Sequence, residues 1–158
     1  MKSFHIVILL FGVTLVLTLS SLQSGETITR KQNIDSLKAD RDMHKKRILA
    51  SIAGKERLPA DSVFENIEIF KGVPAGQLLN IMDIAFSQSL GVSCGHCHNT
   101  KDFGSEQKNE KKIAREMWAF AAQTRDLLKN VKSLKSEKPT VNCTTCHRGQ
   151  LKPALSLN

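Results

Sequence analysis

Residues 78–98 read LLNIMDIAFSQSLGVSCGHCH, and this stretch decides what the rest of the chain can be. An apolar run with helical spacing carries Met82, Gly91 breaks it, and Cys94-Gly95-His96-Cys97-His98 follows at once. Cys-x-x-Cys-His is the attachment signature of a c-type haem. Its two thiols add across the vinyl groups, and the adjacent histidine is placed to bind iron from one face. The signature recurs as Cys143-Thr144-Thr145-Cys146-His147, so the two copies use all four cysteines of the chain. His98 and His147 are therefore the expected proximal ligands of two covalently bound haems c.

The second axial position decides between electron transfer, which a sulfur or nitrogen ligand favours, and chemistry at an open iron. Leu78, Ile81, Met82, Ala85 and Phe86 share one face of a helix that Pro74 or Ala75 opens and Gly91 ends. Met82 precedes Leu90 by about 12 Å of helix. The helix can thus cross one haem face while the turn carries His98 to the other. His96, inside the first Cys-x-x-Cys, cannot reach round to that opposite face. Met117 has the equivalent place in the second half. It lies on a long helix expected over about 106–136, with Ile113, Met117, Phe120, Thr124, Leu127, Leu128 and Val131 at inward spacing and Pro139 as its stop. The separation is 16 positions from Met82 to His98 and 30 from Met117 to His147. Met43-His44 sits in a charged segment read as exposed, with a cap on the second haem as its rival role.

Other uses of the cysteines fit less well. The 45 residues between Cys97 and Cys143 include a long helix rather than a zinc knuckle. A thioredoxin-like motif would need a βαβ context, and two disulfides would leave both adjacent histidines idle.

Seven Phe, one Trp and no Tyr make a thin core for one domain, so two haems would supply much of its apolar bulk. The expected class is all-α: a multihaem c-type cytochrome with few long helices and a haem-packed core. The formal charge of +8 lies on lysines spread over predicted helices, without a zinc-finger, helix-turn-helix or stacking-aromatic pattern. It reads as a solvated basic surface able to steer an acidic redox partner, not as a nucleic-acid site. Residues 1–24 hold Lys2 and the 16-residue apolar run Phe4–Leu19. They read as an export signal or a retained membrane anchor, so the body is expected in the periplasm or on the outer face of the cytoplasmic membrane. Residues 25–60 read as a polar, charged lead-in with a weak helical stripe from about 34 to 53, and 61–158 as the dihaem domain. Within it, 61–71 is expected as a short helix or an irregular segment against a haem edge, and His98 near the start of a short turn or helix.

The stretches FENIEIFKGVPAGQLLNIMDIAFSQSLGVSCGHCHN, KKIAREMWAF and VNCTTCHRGQLKP resemble the tetrahaem cytochrome c subunit of photosynthetic reaction centres, over roughly Val63–Pro153. The resemblance implies a largely helical fold, closely spaced haems, and a sixth ligand from each methionine helix: Met82 for the first haem, Met117 for the second. This chain has two haem motifs where that subunit has four, and Phe120 where the family often has another methionine. The expected function is single-electron transfer between protein redox partners, a membrane complex among them, in a respiratory or photosynthetic chain. The alternative is a dihaem peroxidase-like enzyme with one open iron.

Overall fold

In the computed structural model, residues 32–156 are described. The contacts divide the chain into two units, 1–36 and 37–158, and the fold below is that of the second. The expected signal or anchor, 1–24, lies outside the described residues. Among those described, no helix is long and apolar enough to cross a membrane.

Helices account for all the regular elements described. Helix α1 covers 37–51 of this unit, α2 is Ala60–Val63, α3 is Ala75–Asn80, a π-helical segment spans Ile81–Gln88, α4 is Cys94–Cys97, α5 is Asn109–Lys129 and α6 is Cys143–His147. The start of the fold is a local repeat. Leu58-Pro59-Ala60 and Val73-Pro74-Ala75 each open a helix, with Pro59 (φ −55°) and Pro74 (φ −54°) as the N-caps. Proline suits that place, because its fixed φ is pre-set and its missing N–H would have no helical partner. The two prolines face each other in an antiparallel bridge, where Ala60 donates to the Val73 carbonyl and Ala75 to that of Leu58. Both alanines are fully buried.

Two small apolar clusters surround this bridge. Ile52, Ala75 and Leu79 pack with Ile48, Leu49, Val63 and Phe64. Ala60, Phe70 and Leu78 pack with Phe86 and Trp118 among others. The Trp118 ring lies 4.9 Å from Phe70 and 5.6 Å from Phe86, stacked on the latter, and so seats α5 against the π segment.

The lead-in helix differs from its expectation. Arg41, His44 and Ile52 are buried, so α1 is packed along a stripe at 37, 41, 44, 48 and 52. Met43 is exposed, as read from its charged surroundings; His44 is not. Arg41 and Lys45 reach Asp83 of the π segment at 3.1 and 3.3 Å, and the Asp40 carboxylate accepts from the Cys94 N–H. Hydrophobicity shows this stripe only weakly, through residues 37, 48 and 52, because its other two members, Arg41 and His44, are charged or polar.

The long helix also differs. It runs Asn109–Lys129, shorter at both ends than 106–136, and ends on Asn130. Lys111, Ala114, Arg115 and Trp118 form its inward face. The stripe expected inward, Ile113–Met117–Phe120–Leu127, lies on the opposite side of a 3.6-residue helix and is 44–68% exposed.

Gly91 and Gly149 join the two motif-bearing turns. Both have positive φ, +65° and +78°, a region open to glycine at little cost. Gly149 donates to the Ser89 carbonyl at 2.9 Å, and the Ser89 and Thr144 hydroxyls meet at 2.6 Å. A Cβ on Gly91 would stand 2.0 Å from the Gly149 carbonyl oxygen. Gly91→Ala is therefore expected to cost about 2 kcal/mol or more, combining positive φ with a backbone clash. Urea denaturation of the holoprotein checks it, with Gly72→Ala as a reference: φ there is +78° and the space is open, so only the conformational part should appear.

Candidate functional site

The first motif opens onto a cavity of about 470 Å³, within the roughly 300–1,000 Å³ usual for ligand pockets. Its wall includes Cys94, Cys97, His98 and Met82, with Phe64, Phe70, Leu78 and Phe86 as apolar lining. The expected attachment thiols, proximal histidine and sulfur ligand thus border one mostly apolar space.

The π segment helps bring this about. Leu78, Met82, Phe86 and Leu90 all line the cavity, yet positions four apart drift by about 40° per step around an α-helix. The wider i→i+5 turns counter that drift and keep the row on one side. Val92 donates to Ser87 and the Ser89 hydroxyl to Ile84, both across five residues. Such π turns are rare and concentrate at functional sites.

Cys94–Cys97 is one helical turn, which places both thiols on the same side. His98 follows that turn in extended backbone and precedes the turn closed by Asp102 N–H on the Asn99 carbonyl, which is the turn alternative of its expected place. Burial, then the Asp40 carboxylate, pushes the Cys94 thiol up to about 11. Burial raises Cys97 and Cys143 as well. These are protonated thiols, suited to adding S–H across a double bond and unlike the thiolates of a zinc site. Among the described residues, no group of three acids, histidines or cysteines converges on a metal-sized point.

The histidines are held alike. His98 Nδ1 lies 3.1 Å from the Phe103 carbonyl oxygen, and His147 Nδ1 lies 3.1 and 3.0 Å from those of Gln150 and Leu151. A carbonyl only accepts, so Nδ1 carries the proton and Nε2 keeps its lone pair. That is the tautomer and restraint of a metal-binding histidine. Burial lowers the pKa of His98, which favours the same neutral form.

The second motif is more open. Asn142 caps α6 through a capping box with Thr145, and Cys146 is exposed. Met117 is not in the wall of the first cavity and stands 44% exposed on the outward face of α5. His44, whose rival role concerned the second haem, lines the first cavity instead. Its ring packs edge-on against Phe103 at 5.8 Å, Nε2 lies 3.5 Å from Asp40, and Nδ1 is buried without a partner.

Comparison with known proteins was made on this basis. The family described as "Photosynthetic reaction centre cytochrome C subunit" matches residues 18–156. A photosynthetic reaction center cytochrome c subunit from Rubrivivax gelatinosus is 38% identical over 80 residues, covering 43% of this chain and 22% of that protein. A cytochrome c-554 from Chloroflexus aurantiacus is 29% identical over 83 residues, covering 52% of this chain and 20% of its own. The chain therefore spans about a fifth of the length of these curated relatives.

A group of charges closes the loop behind His98. Lys111 Nζ donates to the carbonyls of Phe103, Gly104 and Ser105 at 2.9–3.1 Å and pairs with Glu106 at 2.8 Å. Arg115 grips both oxygens of Glu106 at 2.8 and 2.7 Å and reaches Glu68 at 2.9 Å. The Phe103 carbonyl that holds His98 thus accepts from Lys111 too. Arg115, then Lys111, holds the Glu106 carboxyl down at about 2 against its ordinary 4.5. A depressed carboxylate stabilises the fold above its unfolded value, and that contribution is lost as pH falls from about 4.5 towards 2. Glu106 is 45% exposed, so solvent screening leaves about 1 kcal/mol. Urea midpoints measured across that window should fall in the wild type and fall less in Glu106→Gln.

Proposed function

We propose, from the fact that this chain belongs to the family of the photosynthetic reaction centre cytochrome c subunit, that it is an exported dihaem c-type cytochrome carrying single electrons between redox proteins. The observation that carries this reading is the shared cavity wall of Cys94, Cys97, His98 and Met82, together with a second Cys-x-x-Cys-His whose histidine has the same Nδ1 restraint. A bound haem c supplies an iron couple that changes by one electron. The chain does the rest.

Cys94 and Cys97 would bind the first haem by thioethers, the thiol hydrogen passing to the vinyl carbon as each S–C bond forms. Cys143 and Cys146 would bind the second. His98 and His147 would present Nε2 to iron, held against rotation by their Nδ1–H bonds. Met82 would hold the first group through its sulfur, and Met117 the second. Phe64, Phe70 and Phe86 would keep water from the first group, which would keep rearrangement on a change of charge small. Histidine–methionine ligation raises the reduction potential, which suits a respiratory or photosynthetic chain.

The outward stripe on α5 supports the second site. Ile113, Met117, Phe120 and Leu127 form a continuous exposed apolar face, uncommon in a helix already packed on its other side. A haem attached at Cys143 and Cys146 is an apolar surface of the right kind to cover it. The apolar run Phe4–Leu19 supports export and would tether the protein near a membrane complex if retained.

Protein matured in a host that exports and attaches haem c should contain two haems per chain, counted by pyridine haemochrome. Cys143→Ser with Cys146→Ser should leave one. Oxidised wild type should give two low-spin signals by magnetic spectroscopy; one stable high-spin haem would favour the peroxidase-like alternative. Met82→Ala should lower one potential and remove one sulfur-to-iron charge-transfer band. Met117→Ala should do so at the other haem, and retention of both features there would show that another residue caps that iron.

A further inference from the structure

The charges around the two motifs differ in kind. Near the first cavity Lys108 and Arg47 are held by the Gly95 and Thr100 carbonyls, and the cations that line it are in ion pairs: Arg41 and Lys45 share Asp83, Lys111 pairs with Glu106, and Arg115 with Glu106 and Glu68. Around the second motif they are not. Residues 130–156 hold Lys132, Lys135, Lys138, Arg148 and Lys152 against one carboxylate, Glu137. All five cations are exposed. None of the five forms an ion pair among the described residues.

Three of these cations, Lys138, Arg148 and Lys152, stand within five residues of the motif. Lys138 stands five residues before Cys143, and Arg125 of α5 holds the intervening strand of chain through the Val141 carbonyl. On the other side, His147 is bonded to the carbonyls of Gln150 and Leu151, which folds Arg148 and Lys152 against the motif. Two haem propionates could neutralise at most two of the five.

We propose that the surface around the second motif is the face at which electrons enter or leave, and that it fits an acidic protein redox partner. This rests on the dihaem reading above. Unpaired surface cations contribute little to folding, but they raise the encounter rate with anions over a range of about ten- to a thousandfold at low ionic strength. The paired cations that line the first cavity would give less guidance. Each productive encounter moves one electron, with the chain oxidised by one and the acceptor reduced by one, and no bond or proton changes place.

The test uses reduced holoprotein, with its two haems first verified by pyridine haemochrome; a lower count would refute the dihaem reading itself. Stopped-flow oxidation is followed with an anionic reagent, hexacyanoferrate(III), and a cationic one, tris(phenanthroline)cobalt(III), from low to high salt. The reversal Lys138→Glu/Lys152→Glu is compared with Lys55→Glu/Arg57→Glu, which changes net charge equally at exposed positions far along the sequence. The first variant should slow the anionic reagent about tenfold at low salt, speed the cationic one, and lose both effects at high salt. The second should change either rate less than about threefold. Equal effects of the two variants would overturn the proposal, since net charge alone would then govern. Unchanged rates with a shifted second-haem potential would overturn it in favour of propionate pairing. Binding to phosphatidylglycerol vesicles that only the first variant abolishes, with unchanged rates, would overturn it in favour of a lipid surface.

Discussion

The second motif is positioned by a contact between two backbones. Gly149 N–H reaches the Ser89 carbonyl, and the space at Gly91 admits no Cβ. This has consequences at both ends. Ser89 closes the π segment that carries Met82, and Gly149 follows His147 at the αL turn of Arg148 (φ +51°). The structure that ends the methionine helix of the first half therefore anchors the histidine turn of the second. On the dihaem reading, two cofactors would lie on either side of one glycine contact, and tunnelling falls off steeply with distance. A side chain at Gly91 would lengthen the path as well as strain the turn.

A second dependence concerns how a chain with so thin a core keeps its shape. No large side chain among those described is completely buried. The first cavity is braced from outside by polar groups, with α1 held by Asp83 and the Cys94 N–H, and the loop behind His98 by Lys111, Glu106 and Arg115. Half-buried ion pairs stabilise little in themselves, but removing one partner strands the other at a cost. They therefore specify geometry more than they add stability. That suits a site whose apolar filling would arrive only with the cofactor.

The sequence made some of this legible and hid the rest for physical reasons. Pro74, Gly91 and the two Cys-x-x-Cys-His runs are local signals, since each residue dictates backbone or chemistry where it stands, and the helix start and turn appear where they imply. Met82 could be read because its apolar neighbours share its spacing. Arg41 and His44 could not, because their burial depends on Asp83 and Phe103, far away in sequence. Met117 is the instructive case. Helix α5 has apolar residues on two sides, and periodicity alone cannot say which faces the protein. Trp118 and the paired Lys111 and Arg115 take the inner face. Met117 is left on the outer face, 44% exposed.

These faces give the molecule a direction. The cations lining the first cavity are paired and its apolar wall is half-buried or buried; the cations of residues 130–156 form no ion pair among the described residues, and the outer face of α5 is exposed. A carrier needs both conditions, in different places. An enclosed haem is insulated from water and from unselective partners, so its potential is set by its ligands, whereas an exposed one must be approachable within tunnelling reach. Exposed charge also selects by rate rather than affinity, because screened attractions bring partners together without holding them. Placing both demands on one haem would compromise each. The unequal halves of this chain are thus consistent with a division of labour between two otherwise equivalent motifs.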